Sequence, residues 1–245
     1  DLGVAELNTK SSLSSGGEQQ KQAEEMEAGS INVLITGTNR GLGLEMVRLM
    51  VEGSIPVKKL IACCRDPDGP RAEALQTLGE QHPDIISIVP LDISDICSIK
   101  ECAQRVGALV GSEGLNLLVN NAGIINRSPL LESSCEDMRT LFNTNILGPM
   151  NMIKEFLPLL RTAAESSKIS GMSIRKAAVV SISSLLGSVQ NVTKTYENFS
   201  AVPYRVSKGL IDAPESVQKM FDLMASMTEK HNGSFLDYQG QTIAW

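Results

Sequence analysis

From Ser30 onward the chain alternates short apolar runs with longer stretches of mixed polarity. INVLIT (31–36), VKKLIACC (57–64), ISIVPL (86–91), LNLLVN (115–120) and KAAVVSIS (176–183) are the runs. Each is too short for a buried helix and apolar enough to be covered on both faces, as the strands of a parallel sheet are. The segments between them space their apolar residues at threes and fours, as amphipathic helices do. Alternation of this kind makes right-handed strand-helix-strand units. The predicted fold class is therefore α/β, a doubly wound and mostly parallel sheet flanked by helices. No repeat of solenoid length and no linker divides the body, so residues 31–245 read as one domain.

Residues 1–30 are different. They are rich in Ser, Glu, Gln and Gly, lack aromatic residues, and hold six acids against two bases, a net of −4 out of the chain's −6. Such a segment cannot bury enough apolar surface to offset its ordering, and it is expected to be a disordered acidic tail. Met26 stands just before the first strand, and translation is expected to start near it. With the tail set aside the body is almost neutral, which argues against a nucleic-acid partner. No apolar run approaches the roughly 20 residues of a membrane span, and no charged-then-apolar leader opens the chain. A cytoplasmic protein without a membrane partner is the expectation. The four N-x-S/T sites, at Asn126, Asn191, Asn198 and Asn232, then arise by chance. The five cysteines (Cys63, Cys64, Cys97, Cys102, Cys135) lack metal-site spacing and are expected to be reduced and mostly buried, and no metal is expected.

Chemistry begins where the first strand runs into TGTNRGLG, Thr36 to Gly43, and then into a helical segment. Gly37 permits a tight turn, Gly41 lets backbone approach a phosphate, and Gly43 lets helix pack closely on strand. A pyrophosphate can then sit at the positive end of the helix, beside Asn39, Arg40 and Leu42. An ordinary glycine-rich turn is the competing reading.

A second signal is Tyr204 with Lys208 four residues on. Reduction of a carbonyl by a hydride donor needs a proton for the developing alkoxide. Tyrosine, with an ordinary pKa of about 10, is a poor acid unless a cation on the same helical face favours its phenolate. Taken alone, this spacing also describes any solvated helix pair.

The glycine spacing G-x-x-x-G-x-G resembles that of the short-chain dehydrogenase/reductase family, and the resemblance extends to the C-terminal tryptophan. It implies a Rossmann-type domain and a nicotinamide cofactor. At the end of the second strand, where an acid would select NAD, this chain has Cys64 and Arg65; with Arg40, two guanidiniums can fork around a 2′-phosphate, so NADPH is expected. Arg65 as a solvated strand end is the alternative. Asp92 and Ile93 match the adenine site, although Asp92 could instead cap the next helix. NNAG places Asn121, Ala122 and Gly123 beside the cofactor. Carried over, Tyr204 is the proton donor, Lys208 its electrostatic tuner and ribose anchor, Ser184 the hydroxyl that steadies the carbonyl, and Asn145 a proton relay. Pro149 leaves the Asn145 carbonyl without its helical N–H, so the relay competes with a simple proline kink.

SSLLGS, PYRVSK and the long GSVQNVTKTYENFSAVP loop between them resemble the carbonyl reductases of the Sniffer and C-factor group. Small aldehydes, ketones or quinones are the implied substrates. Tyr196 and Phe199 in the loop either line an apolar pocket or anchor the loop. The chain departs from the family after Lys208: Pro214 interrupts the helix, and nothing from Gly209 to His231 reads as a sixth strand. An internal deletion of that kind opens a second reading, a catalytically impaired splice-type variant that binds nucleotide or pairs with other subunits. It also puts in doubt the homodimer that the helix after Lys208 would build.

Overall fold

The computed structural model describes residues 29–171, 173–209 and 241. The sheet runs β1 (Ile31–Thr36), β2 (Val57–Cys64), β3 (Ile86–Pro90), β4 (Leu117–Asn120) and β5 (Ala178–Ser181). All pairings are parallel and the spatial order is β3-β2-β1-β4-β5. The helices that position the site are α1 (Gly41–Glu52), α2 (Glu73–Gln81), α3 (Ile96–Val110), α4 (Cys135–Phe142), α5 (Gly148–Ser166), a short α6 (Val192–Thr195) and α7 (Val202–Lys208).

The central strands β1 and β4 are buried along their whole length, as unbroken apolar runs require, whereas the edge strand β5 is only partly covered and leaves Val179 exposed. Ile31, Val33 and Ile35 of β1 point to one core with Met46, Val47 and Met50 of α1 and Leu75 of α2. Leu34, between them, joins the other core with Ile99 and Val106 of α3 and Met152 and Phe156 of α5. Successive strand residues face opposite sides, so one strand serves both layers. The observed strands are shorter than the runs at β3, β4 and β5. Before β4, the Asn116 side chain gives its amide to the carbonyls of Arg175 and Lys176 and accepts the Asn32 N–H, which adds side-chain ties to the backbone bonds that Asn116 makes with Asn32 and Ala178.

Crossovers leave β1 toward β2 and arrive at β4 on the other side, so the carboxyl ends of β1 and β4 flank the point where the winding reverses. Open α/β sheets bind ligands there. The expected break at Pro214 and the missing sixth strand concern positions outside the described residues, as does the acidic tail up to residue 28. Among the described residues no helix is long and apolar enough to cross a membrane.

Candidate active site

At the end of β1 the chain turns through Gly37, whose φ of +72° suits glycine, and its N–H and that of Thr38 both donate to the Cys63 carbonyl at the end of β2. A side chain here would also press on Ala122, with its Cβ 2.9 Å from the Ala122 Cα. Asn121 binds the turn from the other side, its amide donating to the Thr36 carbonyl at 2.8 Å and to that of Gly37 at 3.2 Å. The Thr36 hydroxyl accepts the N–H groups of Asn121 and Ala122. The ends of β1, β2 and β4 are thus stitched into one floor.

Helix α1 rises from this floor with its positive end left open. Arg40 at its start caps nothing with its side chain, and the first turn carries no acid. The first N–H groups of any helix lack internal partners, and here neither Ser nor Asp supplies one. Gly41, at φ +57°, faces open space. Gly43 is closed in: a methyl group there would strike the Gly37 carbonyl and come 2.7 Å from the Asn121 amide. Gly43→Ala is therefore expected to destabilise the fold by about 1 to 3 kcal/mol, measured as a lower midpoint of urea unfolding, whereas Gly107→Ala, inside α3 where an added methyl would meet only the Leu159 side chain at 3.8 Å, controls for helix effects.

Above the floor lies a cavity of about 700 Å³. Its lining contains every residue that the sequence assigns to the dinucleotide outside the last helix: Gly37, Asn39, Arg40, Gly41, Leu42, Gly43, Arg65, Asp92, Ile93, Asn121, Ala122 and Gly123. Arg40 and Arg65 share the wall, and sequence reasoning missed a third guanidinium there, Arg71, which no strand end or glycine spacing marks. Asp66 stands among them. The alternative reading of Asp92 as a helix cap needs a correction. Asp92 lies two residues past the end of β3, and α3 is capped by Asp95, which accepts the Cys97 N–H at 2.9 Å. Asp92 instead closes a local turn, accepting the N–H and hydroxyl of Ser94.

The cavity ends at Gly123 and Ile124, and there it meets the second cluster. A Cβ on Gly123 would lie 3.2 Å from Asn145 Oδ1 and 3.5 Å from Lys208 Nζ. Asn145 is buried in a π-helical turn, Asn143–Leu147, that joins α4 to α5. Pro149 falls in the first turn of α5, where a missing N–H costs little, so the expected kink is a widened turn before the proline. The Asn145 side chain accepts the Ile124 N–H and donates to the Ile124 carbonyl and the Ser207 hydroxyl, all at 2.9 Å. Ser207 passes the chain on to the Tyr204 carbonyl at 2.8 Å.

Helix α7 carries Tyr204, half-buried, and Lys208, buried. The Lys208 ammonium donates to the Ile182 carbonyl at 2.8 Å, and its burial pulls its pKa down to about 8. Ser184 follows β5, half-buried, and its hydroxyl accepts the Leu186 N–H at 3.2 Å. The neighbouring Ser183, unmarked by the sequence reading, donates to the Lys208 carbonyl at 3.0 Å. Gly187 packs so closely on the Lys208 carbonyl that no side chain fits. In the loop between them, Arg127 lies over the Phe199 ring at 5.1 Å and Arg205 over the Tyr196 ring at 5.7 Å. Each ring thus packs on a guanidinium, a contact that suits a loop anchor. Cys63, Cys64 and Cys102 are buried and Cys97 and Cys135 exposed, all as free thiols.

The family model described as short chain dehydrogenase matches residues 31–209. Among solved structures, the NADPH-bound carbonyl reductase from chicken fatty liver superposes with a TM-score of 0.81 at 33% identity, over 88% of this chain and 99% of that one. The carbonyl reductase Sniffer of D. melanogaster gives 0.79 at 26% identity, over 88% and 100%. The short-chain dehydrogenase/reductase AacuF of Aspergillus aculeatus is 30% identical over 184 residues, which is 71% of this chain and 62% of that relative's length.

Proposed function

This chain belongs to the short chain dehydrogenase family of oxidoreductases, and we propose that it reduces aldehydes, ketones or quinones with NADPH. The observation that carries the reading is the meeting at Gly123: the cavity above the glycine turn runs to the residue that Lys208 Nζ and Asn145 Oδ1 adjoin. A dinucleotide laid along that cavity would reach the side chains suited to proton transfer.

The residues present fit such a group. The open N-terminus of α1 suits a diphosphate, and Gly41 leaves room for it. Arg40, Arg65 and Arg71 suit a 2′-phosphate, and the carbonyl reductase of chicken liver was solved with NADPH bound. When bound, NADPH supplies the hydride. The chain supplies the rest: Ser184 orients the carbonyl oxygen, the Tyr204 phenol gives its proton, the Lys208 ammonium stabilises the phenolate left behind, and Asn145 holds the Ile124 loop and Ser207 in place for proton return.

The test is titration of the purified chain with NADPH by nucleotide fluorescence, followed by turnover of a simple aldehyde and a quinone. Binding with turnover supports the reading. Binding without turnover would replace it with a nucleotide-binding role lacking catalysis. Charge at the cavity wall gives a sharper expectation. Each charged hydrogen bond to phosphate is worth about 1.5 to 3 kcal/mol, roughly 10- to 100-fold in affinity. Arg40→Ala with Arg65→Ala should therefore raise the Kd for NADPH by about 100-fold or more and that for NADH by less than about threefold. Equal losses for both nucleotides would remove the arginines from the 2′-phosphate.

A further inference from the structure

Arg205 lies inside the catalytic motif yet has no part in the proton transfer described above. It is 7% exposed, deep for a guanidinium, and among the described residues no carboxylate pairs with it. A buried cation without a counter-charge is costly unless its donors are all used. Four of the five N–H groups are used, mostly on backbone carbonyls. Nε donates to the carbonyls of Phe199 at 3.0 Å and Ser200 at 2.9 Å, and Nη2 to Phe199 again at 2.6 Å. Nη1 donates to the Thr195 hydroxyl at 3.0 Å and the Leu186 carbonyl at 3.4 Å, while the Tyr196 ring covers the group.

These contacts gather three places of one loop: the turn after Ser184, the short α6, and the entry to α7. Leu186 is held at both ends, its N–H by the Ser184 hydroxyl and its carbonyl by Arg205. The entry to α7 is itself unusual. Ala201 has a φ of 32°, the one positive value at a non-glycine among the described residues, and it is fully buried. Non-glycine residues hold that conformation only where surrounding contacts impose it. Here the Ala201 carbonyl accepts the Arg205 N–H, and the next residue, Val202, donates to the Ser128 carbonyl.

We propose that Arg205 is a positioning residue, a clasp that fixes the 185–200 loop against α7 and thereby sets the distance between the Ser184 hydroxyl and the Tyr204 phenol. The proposal rests on the reductase reading, in which those two groups share one carbonyl oxygen. A planar fork with five N–H donors suits the task, since it can bind carbonyls in several directions without moving. Lysine, with one flexible donor centre, can replace it only in part.

Two measurements test it, on the full chain, with Arg205→Met, which keeps the stem and removes the donors, and Arg205→Lys. Hydrogen exchange read by mass spectrometry should accelerate at least tenfold over residues 186–200 in Arg205→Met and stay unchanged over residues 31–64. Turnover normalised to NADPH sites should fall 10- to 100-fold in kcat with the Kd for NADPH unchanged, and Arg205→Lys should fall between. A purely structural role would instead lower NADPH sites and turnover together. Unchanged exchange over 186–200 overturns the proposal whether or not the chain turns over. A wild-type chain that binds NADPH without turnover defeats the reductase reading, and with it the catalytic half of the proposal. Wild-type turnover matched per site by Arg205→Met defeats the Arg205 proposal alone.

Discussion

Tyr204→Phe is expected to lower carbonyl reduction by about 100- to 10,000-fold, the range that general acids contribute, and to leave NADPH affinity within about threefold. The substitution removes one hydroxyl from a ring whose backbone is fixed independently. Pro203 supplies a preset φ in the first turn of α7, and the Tyr204 carbonyl is held by the Ser207 hydroxyl, which Asn145 holds in turn. The ring should therefore stay where it is, and the cavity wall from Gly37 to Ile93 is untouched. What is lost is the proton. Steady-state kinetics with an aldehyde, beside a fluorescence titration of NADPH, separates the two effects. Wild-type turnover in the variant would remove Tyr204 as the acid.

The parts of this picture that the sequence made legible are those where a local rule acts alone. Unbroken apolar runs announced the five parallel strands, because burial on two sides, complete at β1 and β4, leaves no polar alternation to misread. Gly37 and Gly43 were legible because each is required by backbone or space within its own turn. Contacts between distant segments were not. Arg71 faces the cavity only because the chain after β2 folds back over it. Ser183 and Ser184 are adjacent serines, and only the packed end of α7 shows that the first binds the Lys208 carbonyl while the second holds Leu186. Asp92 is a plausible cap in sequence, and the cap is decided by which carboxylate the first turn of α3 meets, that of Asp95. Arg205 carried no signal in sequence, since its partners lie 5 to 19 residues back in an irregular loop.

Lys208→Met should separate catalysis from stability. The lysine is buried, its ammonium meets the Ile182 carbonyl, and desolvation holds its pKa near 8 in the folded chain, against about 10.4 when unfolded. Below pH 8 both states carry the proton and the folded state bears the whole cost of burying the charge. Between about pH 8 and 10.4 the folded chain releases the proton while the unfolded chain keeps it, so this group makes stability rise with pH, by roughly 3 kcal/mol in all. Urea unfolding of wild type and Lys208→Met from pH 7 to 10 should therefore show the wild type gaining on the variant across that window. Parallel curves would place the lysine in contact with water. Catalysis should run the other way. Loss of the neighbouring ammonium raises the pKa of the phenolic acid by about 1 to 3 units, so the variant should lose roughly 10- to 1,000-fold in kcat at pH 7. For the same reason wild-type kcat/KM for reduction should decline as pH rises through about 8, where the free chain gives up the ammonium. A burial that the fold would be more stable without is retained where the charge is used, and a wild-type rate flat through pH 9 would show that it is not used in this way.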